Sequence, residues 1–310
     1  MDIPLAVITV IGLAAFEMIT SVDNAVVNAD VLSTMTHWAR RWFLVWGMLV
    51  SVFLVRLSLP FLIVYSIAGR AINSNNIFIA IISGDPSFAQ AVSASAPPLL
   101  SAGGMFLAFL FLHWLFLEPK NYGLRGEEYI YRRGAWFYAV ASVILTLTIW
   151  YSIEINNSWI AFGAAIGSSL FFITHGFRQN AEEREKQMST DQKMSEWSKL
   201  LYLEVIDASF SIDGVLGAFA FTLSVPLIVI GTAIGAVGVR QLTVRNIENV
   251  KKYKYLKNGA MYSIACLGSL MLADAFGSNI PQWVSPLATA AIMSYFFFMS
   301  WKSVRETNSN

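Results

Sequence analysis

Residues 204–214 read EVIDASFSIDG and residues 17–24 read EMITSVDN. Each places carboxylates inside a strongly apolar run, where a charge costs at least ~2.5–3.5 kcal/mol on membrane-insertion scales. The whole chain shares that setting. Of 310 residues, 56% are hydrophobic and 13% charged, against about 25% charged in a soluble domain. Mean hydropathy is +0.56. Apolar runs long enough for a roughly 30 Å hydrocarbon layer need about 20 residues, and they recur along the chain. The expected fold class is all-α, a polytopic helical membrane protein.

About nine candidate spans can be drawn: 3–32, 42–68, 98–118, 135–153, 157–176, 200–222, 224–244, 258–275 and 282–301. Charge tests their order. Alternate loops, starting after the first span and ending with the tail, hold 18 of the 21 Lys and Arg residues. The opposite loops hold only Arg70, while Arg56 and Arg240 lie within spans. The positive-inside rule makes the basic side cytoplasmic, so the N-terminus is expected outside and the C-terminus inside. The start MDIPLAVITVIG has no basic residue before its apolar run, unlike a secretory signal, and is read as a retained first span. The external segment 69–97 has an apolar patch that fits an interfacial helix or a plain loop. The stretch 178–199 is a mixed-charge, helix-forming cytoplasmic linker. The single cysteine, Cys266, excludes an internal disulfide.

The two acidic stretches align without a gap. Glu17 meets Asp207, Ser21 meets Ser211, Asp23 meets Asp213 and Asn24 meets Gly214. In the following spans, Gly47 to Arg56 matches Gly231 to Arg240, and Gly103 to Glu118 matches Gly259 to Asp274, with identical spacing. Three successive spans carrying the same marks in the same order imply a duplication. Five crossings separate equivalent helices, so the copies run in opposite directions, a three-plus-three inverted repeat of the kind secondary transporters use. The expected organisation is a first repeat over 1–134, linking spans and charged linker over 135–199, an inverted second repeat over 200–280, and a last span and tail over 281–310.

Six residues turn a helix by about 600°, a net 240°, so the paired acids of each copy would not share a face of an unbroken helix. A break at Asn24 and Gly214, residue types that tolerate left-handed backbone, is therefore expected. Carboxylates, hydroxyls and freed carbonyls together suit a hard divalent cation. The candidate metal ligands are Glu17, Asp23, Asp207, Asp213 and Glu204, with Thr20, Ser21, Asn24, Ser211 and Gly214 as neighbours. Arg56 and Arg240 are the charge partners that reduce the cluster's negative charge, and by themselves they would make it a set of structural ion pairs. Glu118 and Asp274, at matched helix ends, are gating candidates or helix-end caps. His113 and His175 read as packing residues in aromatic surroundings, and the methionines as core.

FEMITSVDNAVV followed by LYLEVIDASFSIDGVLGAFAFT resembles the paired signatures of the TerC family of integral membrane proteins, named for tellurium resistance and related to the lysine-exporter superfamily. The likeness covers most of the chain; segment 69–97 is longer than in the commoner members. It implies export of Mn²⁺ from the bacterial cytoplasm, with Ca²⁺ or Mg²⁺ as alternatives, and for some members tellurite resistance or metal loading of exported proteins. It carries over to Glu17, Asp23, Asn24, Glu204, Asp207, Asp213 and Gly214. The expectation is a non-enzymatic transporter in a bacterial inner membrane. Its partners would be the cation, the bilayer, and a second copy or a secretion-machinery component, with no nucleic acid. The rivals are an exporter of an organic cation or amino acid, an intramembrane aspartyl protease, for which no GxGD string occurs, and a membrane chaperone.

Overall fold

A computed structural model of the chain describes residues 3–21, 31–32, 34–47, 58, 60, 62, 65, 95–190, 195–245 and 252–308. Among them every regular element is helical: α1 (Ile3–Thr20), α2 (His37–Trp42, continued by a π turn over Phe43–Gly47), α3 (Ala96–Leu117) and α4 (Glu127–Tyr131). They are followed by α5 (Trp136–Glu154), α6 (Ser158–Thr190), α7 (Glu196–Ala218), α8 (Val225–Arg245), α9 (Leu256–Ala275) and α10 (Val284–Asn308). Among the described residues, five stretches are long and apolar enough to cross a membrane: Ile3–Thr20, Ala96–Leu117, Trp136–Glu154, Ser158–Phe177 and Val284–Glu306. Val225–Val239 is apolar but shorter. α7 is outside that set, its apolar sequence interrupted by Glu196, Lys199, Glu204, Asp207 and Asp213.

One boundary differs from expectation: helical backbone begins at His37 rather than 42. As the helix-forming stretch 178–199 leads one to expect, α6 continues from its apolar part, Ser158–Phe177, through AEEREKQ to Thr190, because Ala, Glu, Arg, Lys and Gln are strong helix formers. At 33 residues α6 is about 50 Å long, so its last turns project beyond a roughly 30 Å hydrocarbon layer. Most of the expected span 42–68 and nearly all of segment 69–97 lie outside the described residues.

Packing places α3 at the centre. Its apolar window is 78% buried, against 22% for α5, whose exposed Trp136 and Tyr138 at one end and Trp150 and Tyr151 at the other suit the two interfaces of a bilayer. Small residues set the close crossings of α3. Ser101 Oγ donates to the Ile160 carbonyl at 2.9 Å, and a Cβ on Gly167 would collide with the Ala102 carbonyl. Farther along, Phe106 and Phe109 meet Phe171, and His113 meets His175. Residue numbers rise together, so α3 and α6 are parallel. Against α9 they run oppositely: Gly103 faces Met271, Gly268 faces Gly104 and Leu107, Phe111 meets Tyr262, and Glu118 pairs with Lys257 at 2.9 Å. α3 and α9 are therefore antiparallel along their length.

The same reading orients the rest. Gly231 abuts Leu13, Gly235 abuts Glu17 and Gly238 abuts Met18, so α1 and α8 are parallel. Gly12 faces Phe221, Gly217 faces Phe16 and Gly214 faces Glu17, so α1 and α7 are antiparallel. Tyr255 N–H donates to Ser300 Oγ at 2.9 Å, and Tyr262 stacks on Phe296, so α9 and α10 are antiparallel.

These directions divide the bundle into two ends. At one lie the end of α3, the start of α9 and the end of α10, with Lys120, Lys254, Lys257 and Lys302 around them. The other holds the connections 155–157, 219–224 and 276–283, which contain no Lys or Arg.

Candidate functional site

Glu17 lies where α1, α7 and α8 meet, 2% exposed. Two glycines let it in. A Cβ on Gly214 would collide with Glu17 Oε2, and one on Gly235 would lie 2.5 Å from Glu17 Cβ and 2.8 Å from the Ala14 carbonyl. Ser21 Oγ donates to Glu17 Oε1 at 2.8 Å, and Thr20 Oγ1 turns back to the Phe16 carbonyl at 2.9 Å. On α7 the matched Ser211 Oγ donates to the Asp207 carbonyl at 2.8 Å. Asp207 is 7% and Ser211 1% exposed, so each of the two acidic stretches buries an acid and a serine four residues apart.

The expected break at Gly214 is not there. α7 is continuous from Glu196 to Ala218. Gly214 serves a different purpose: without a side chain, it admits a carboxylate against the helix backbone. A glycine inside a helix costs about 1 kcal/mol relative to alanine, and here the close approach of α1 requires it. Because α7 is regular, Asp207 and Asp213 point to sides about 240° apart.

Glu204, one turn before Asp207, reaches α2 instead, where a Cβ on Gly47 would collide with its Oε1. Among the described residues no three His, Cys, Asp or Glu side chains stand close enough together to hold a metal ion. Asp23, Asn24 and Arg56 lie outside the described residues, as does the side chain of Arg240.

The gating candidates have local bonds. Glu118 Oε2 pairs with Lys257 Nζ at 2.9 Å, and its Oε1 is 3.5 Å from His113 Nδ1. His113 is not alone in its aromatic pocket: its ring centroid is 3.9 Å from that of His175. Asp274 Oδ1 accepts the Ile280 N–H at 2.9 Å, closing the turn after α9 in which Gly277 and Asn279 take positive φ values of 92° and 48°.

Sequence reading missed Glu127. It is 2% exposed and accepts from Gly123 N–H at 2.8 Å, Leu124 N–H at 3.1 Å, Asn258 Nδ2 at 3.2 Å and Tyr262 O–H at 2.9 Å. This knot ties the connection between α3 and α4 to the start of α9. Beside it Lys120 Nζ donates to the carbonyls of Trp114 and Leu115 at 2.5 and 2.6 Å, capping α3.

Burial lowers the Lys120 pKa from 10.5 to about 8, and Lys257 adds to the fall while Glu127 and Glu118 oppose it. Between those values the unfolded chain holds more protons than the folded one, so this group makes stability rise with pH across that window. The unfolding midpoint in detergent, followed from pH 7.5 to 10.5, should rise less steeply in Lys120→Met than in the wild type.

Residues 22–307 match the model of a family described as "Protein of unknown function (DUF475)". An uncharacterized membrane protein, YceF, of Bacillus subtilis (strain 168) is 26% identical over 221 residues, covering 67% of this chain and 81% of that protein. No solved structure matches.

Proposed function

The chain belongs to the DUF475 family, and we propose that this all-helical membrane protein carries a divalent cation, Mn²⁺ first, through a nine-span inverted repeat of the TerC type. The observation that carries the reading is Glu17. A carboxylate is seated at a three-helix crossing by Gly214 and Gly235, with a serine hydroxyl bonded to it. Two glycines reserved for one acid's approach are a costly arrangement for an ordinary packing contact.

The helix directions support the repeat. The matched stretches Gly103–Glu118 and Gly259–Asp274 lie side by side and antiparallel, each glycine end beside the other's acidic end. The first helices of the two proposed copies, α1 and α7, are antiparallel as well. A site between such copies can face either side in turn, as alternating access requires. Glu17, Ser21, Asp207, Ser211 and Asp213, with Asp23, form the proposed ligand pool. Among the described residues no three of these acids stand close enough to hold a metal ion, so a bound cation would require their carboxylates to approach one another. Protons or Arg56 and Arg240 would neutralise the acids when the site is empty. Export from a bacterial cytoplasm follows the TerC resemblance alone; the charge asymmetry of the connections supports only a cytoplasmic basic end.

The test is competition among Mn²⁺, Mg²⁺, Ca²⁺ and Zn²⁺ for purified protein, wild type and Asp213→Asn. Saturable Mn²⁺ binding that weakens in the variant is expected. No binding, or binding indifferent to the substitution, removes the site assignment.

A further inference from the structure

At the end of the bundle whose described connections contain no Lys or Arg, a cavity of about 320 Å³ opens between the starts of α3 and α10 and the ends of α7 and α9. Leu100, Phe221, Thr222, Met271, Asp274 and Ser285 are among the residues lining it. Its volume equals that of about ten water molecules at roughly 30 Å³ each, enough for a cation that keeps its inner water shell. Magnesium-like ions give up that shell reluctantly, so a wet chamber ahead of a carboxylate site suits them. Asp274 supplies the carboxylate of the wall, and its turn, closed by the Ile280 N–H, fixes the acid at the rim.

The cavity stops close to Glu17. Phe221 lines the cavity and meets the Phe16 ring at a centroid distance of 5.5 Å. Phe16 in turn packs on Gly217 and immediately precedes Glu17. Gly217 and Gly214, against which the Glu17 carboxylate rests, are three residues apart, about 4.5 Å along the α7 axis. Both rings are almost fully buried, at 2% and 1% exposure. The Phe221 and Phe16 rings thus stand in succession between the cavity wall and the stretch of α7 on which the Glu17 carboxylate rests. Each rests where a neighbouring helix offers a glycine, Phe16 on Gly217 and Phe221 on Gly12, so the closed position of both rings depends on the absence of a side chain there.

We propose that this cavity is the outward mouth of the cation pathway, with Asp274 attracting a hydrated divalent cation and the Phe16–Phe221 pair acting as the gate to Glu17. The inference rests on the transport reading and adds to it an entrance, a side and a barrier. It accounts for Asp274 facing a chamber at the opposite end from its sequence match Glu118, which is held by Lys257. The two acids thus have different surroundings although they occupy matched positions.

The experiment uses Leu223→Cys, on the cavity wall, in a background whose single native thiol is removed by Cys266→Ala. Sealed right-side-out vesicles receive a membrane-impermeant maleimide, with and without Mn²⁺. Lys257→Cys at the basic end serves as the control. The expected result is labelling of Leu223→Cys from outside, slowed several-fold by Mn²⁺ in an Asp274-dependent way, and labelling of Lys257→Cys only after permeabilisation. Phe221→Leu should raise passive Mn²⁺ leak through proteoliposomes several-fold. Labelling of Leu223→Cys only after permeabilisation, or at a rate indifferent to Mn²⁺, overturns the mouth. Leak unchanged in a folded Phe221→Leu protein overturns the gate. Both failures leave Mn²⁺ binding by the wild type intact; loss of the transport reading itself is recognised separately, by absence of that binding.

Discussion

Glu17→Gln should weaken Mn²⁺ binding by at least about 100-fold, the upper end of what loss of a mere outer-shell partner costs a metal site, while the protein stays folded. Glutamine has the shape of glutamate, so it fills the space left by Gly214 and Gly235 and still accepts from Ser21 Oγ. What it lacks is the charge. Replacing a buried carboxylate by an amide also removes a desolvation cost, so thermal stability should hold or rise slightly. Isothermal titration and a melting curve in detergent measure the two effects. Binding retained at wild-type strength removes Glu17 from the site. Collapse of the fold along with binding would make Glu17 a structural residue.

The second large effect is expected at Glu127→Ala. Four donors converge on that carboxylate, and its loss leaves them without an acceptor in a protein interior. Leaving a buried neutral donor without its acceptor costs about 1–3 kcal/mol, so loss of this shared acceptor should cost several kcal/mol. The Asn258 and Tyr262 contacts join the connection after α3 to α9, so the damage should release that connection as well as lower stability. Denaturant or thermal unfolding in detergent reads the loss, and limited proteolysis between residues 119 and 134 reads the release. Glu127→Gln keeps one acceptor oxygen and should recover part of both. A change below about 1 kcal/mol, ordinary for a surface site, would show that the knot does not hold the connection.

Local signals were enough for much of the helical frame. α3, α5, α9 and α10 begin and end within a few residues of their expected spans, except that α10 continues to Asn308, since apolar runs and turn residues bound them directly. The charged stretch after the apolar part of α6 is helix-forming in sequence, and the helix continues through it to Thr190. Gly214 departs from the expected break because a glycine in a helix signals either a bend or a close neighbour, and only the position of Glu17 distinguishes them. Glu127 could not be read locally. Its strongest side-chain partners, Asn258 and Tyr262, are 131 and 135 residues away, and its own neighbourhood, GLRGEEYIY, looks like an ordinary amphipathic turn. The meeting of His113 with His175 is likewise a product of the parallel packing of α3 on α6. By contrast, the acid–serine spacing of the two stretches is visible in sequence, but the bonds differ: Ser21 donates to the Glu17 carboxylate and Ser211 to the Asp207 backbone carbonyl.

The most direct measurement is flux. Purified protein in proteoliposomes loaded with a metal-sensing dye, under an imposed pH gradient, should admit Mn²⁺ at a saturable rate that Glu17→Gln abolishes. Lysine or choline, offered in place of the metal, should neither cross nor compete. Saturable flux of an organic cation with no response to Mn²⁺, or metal entry at the rate of protein-free liposomes, would contradict a divalent-cation pathway through Glu17.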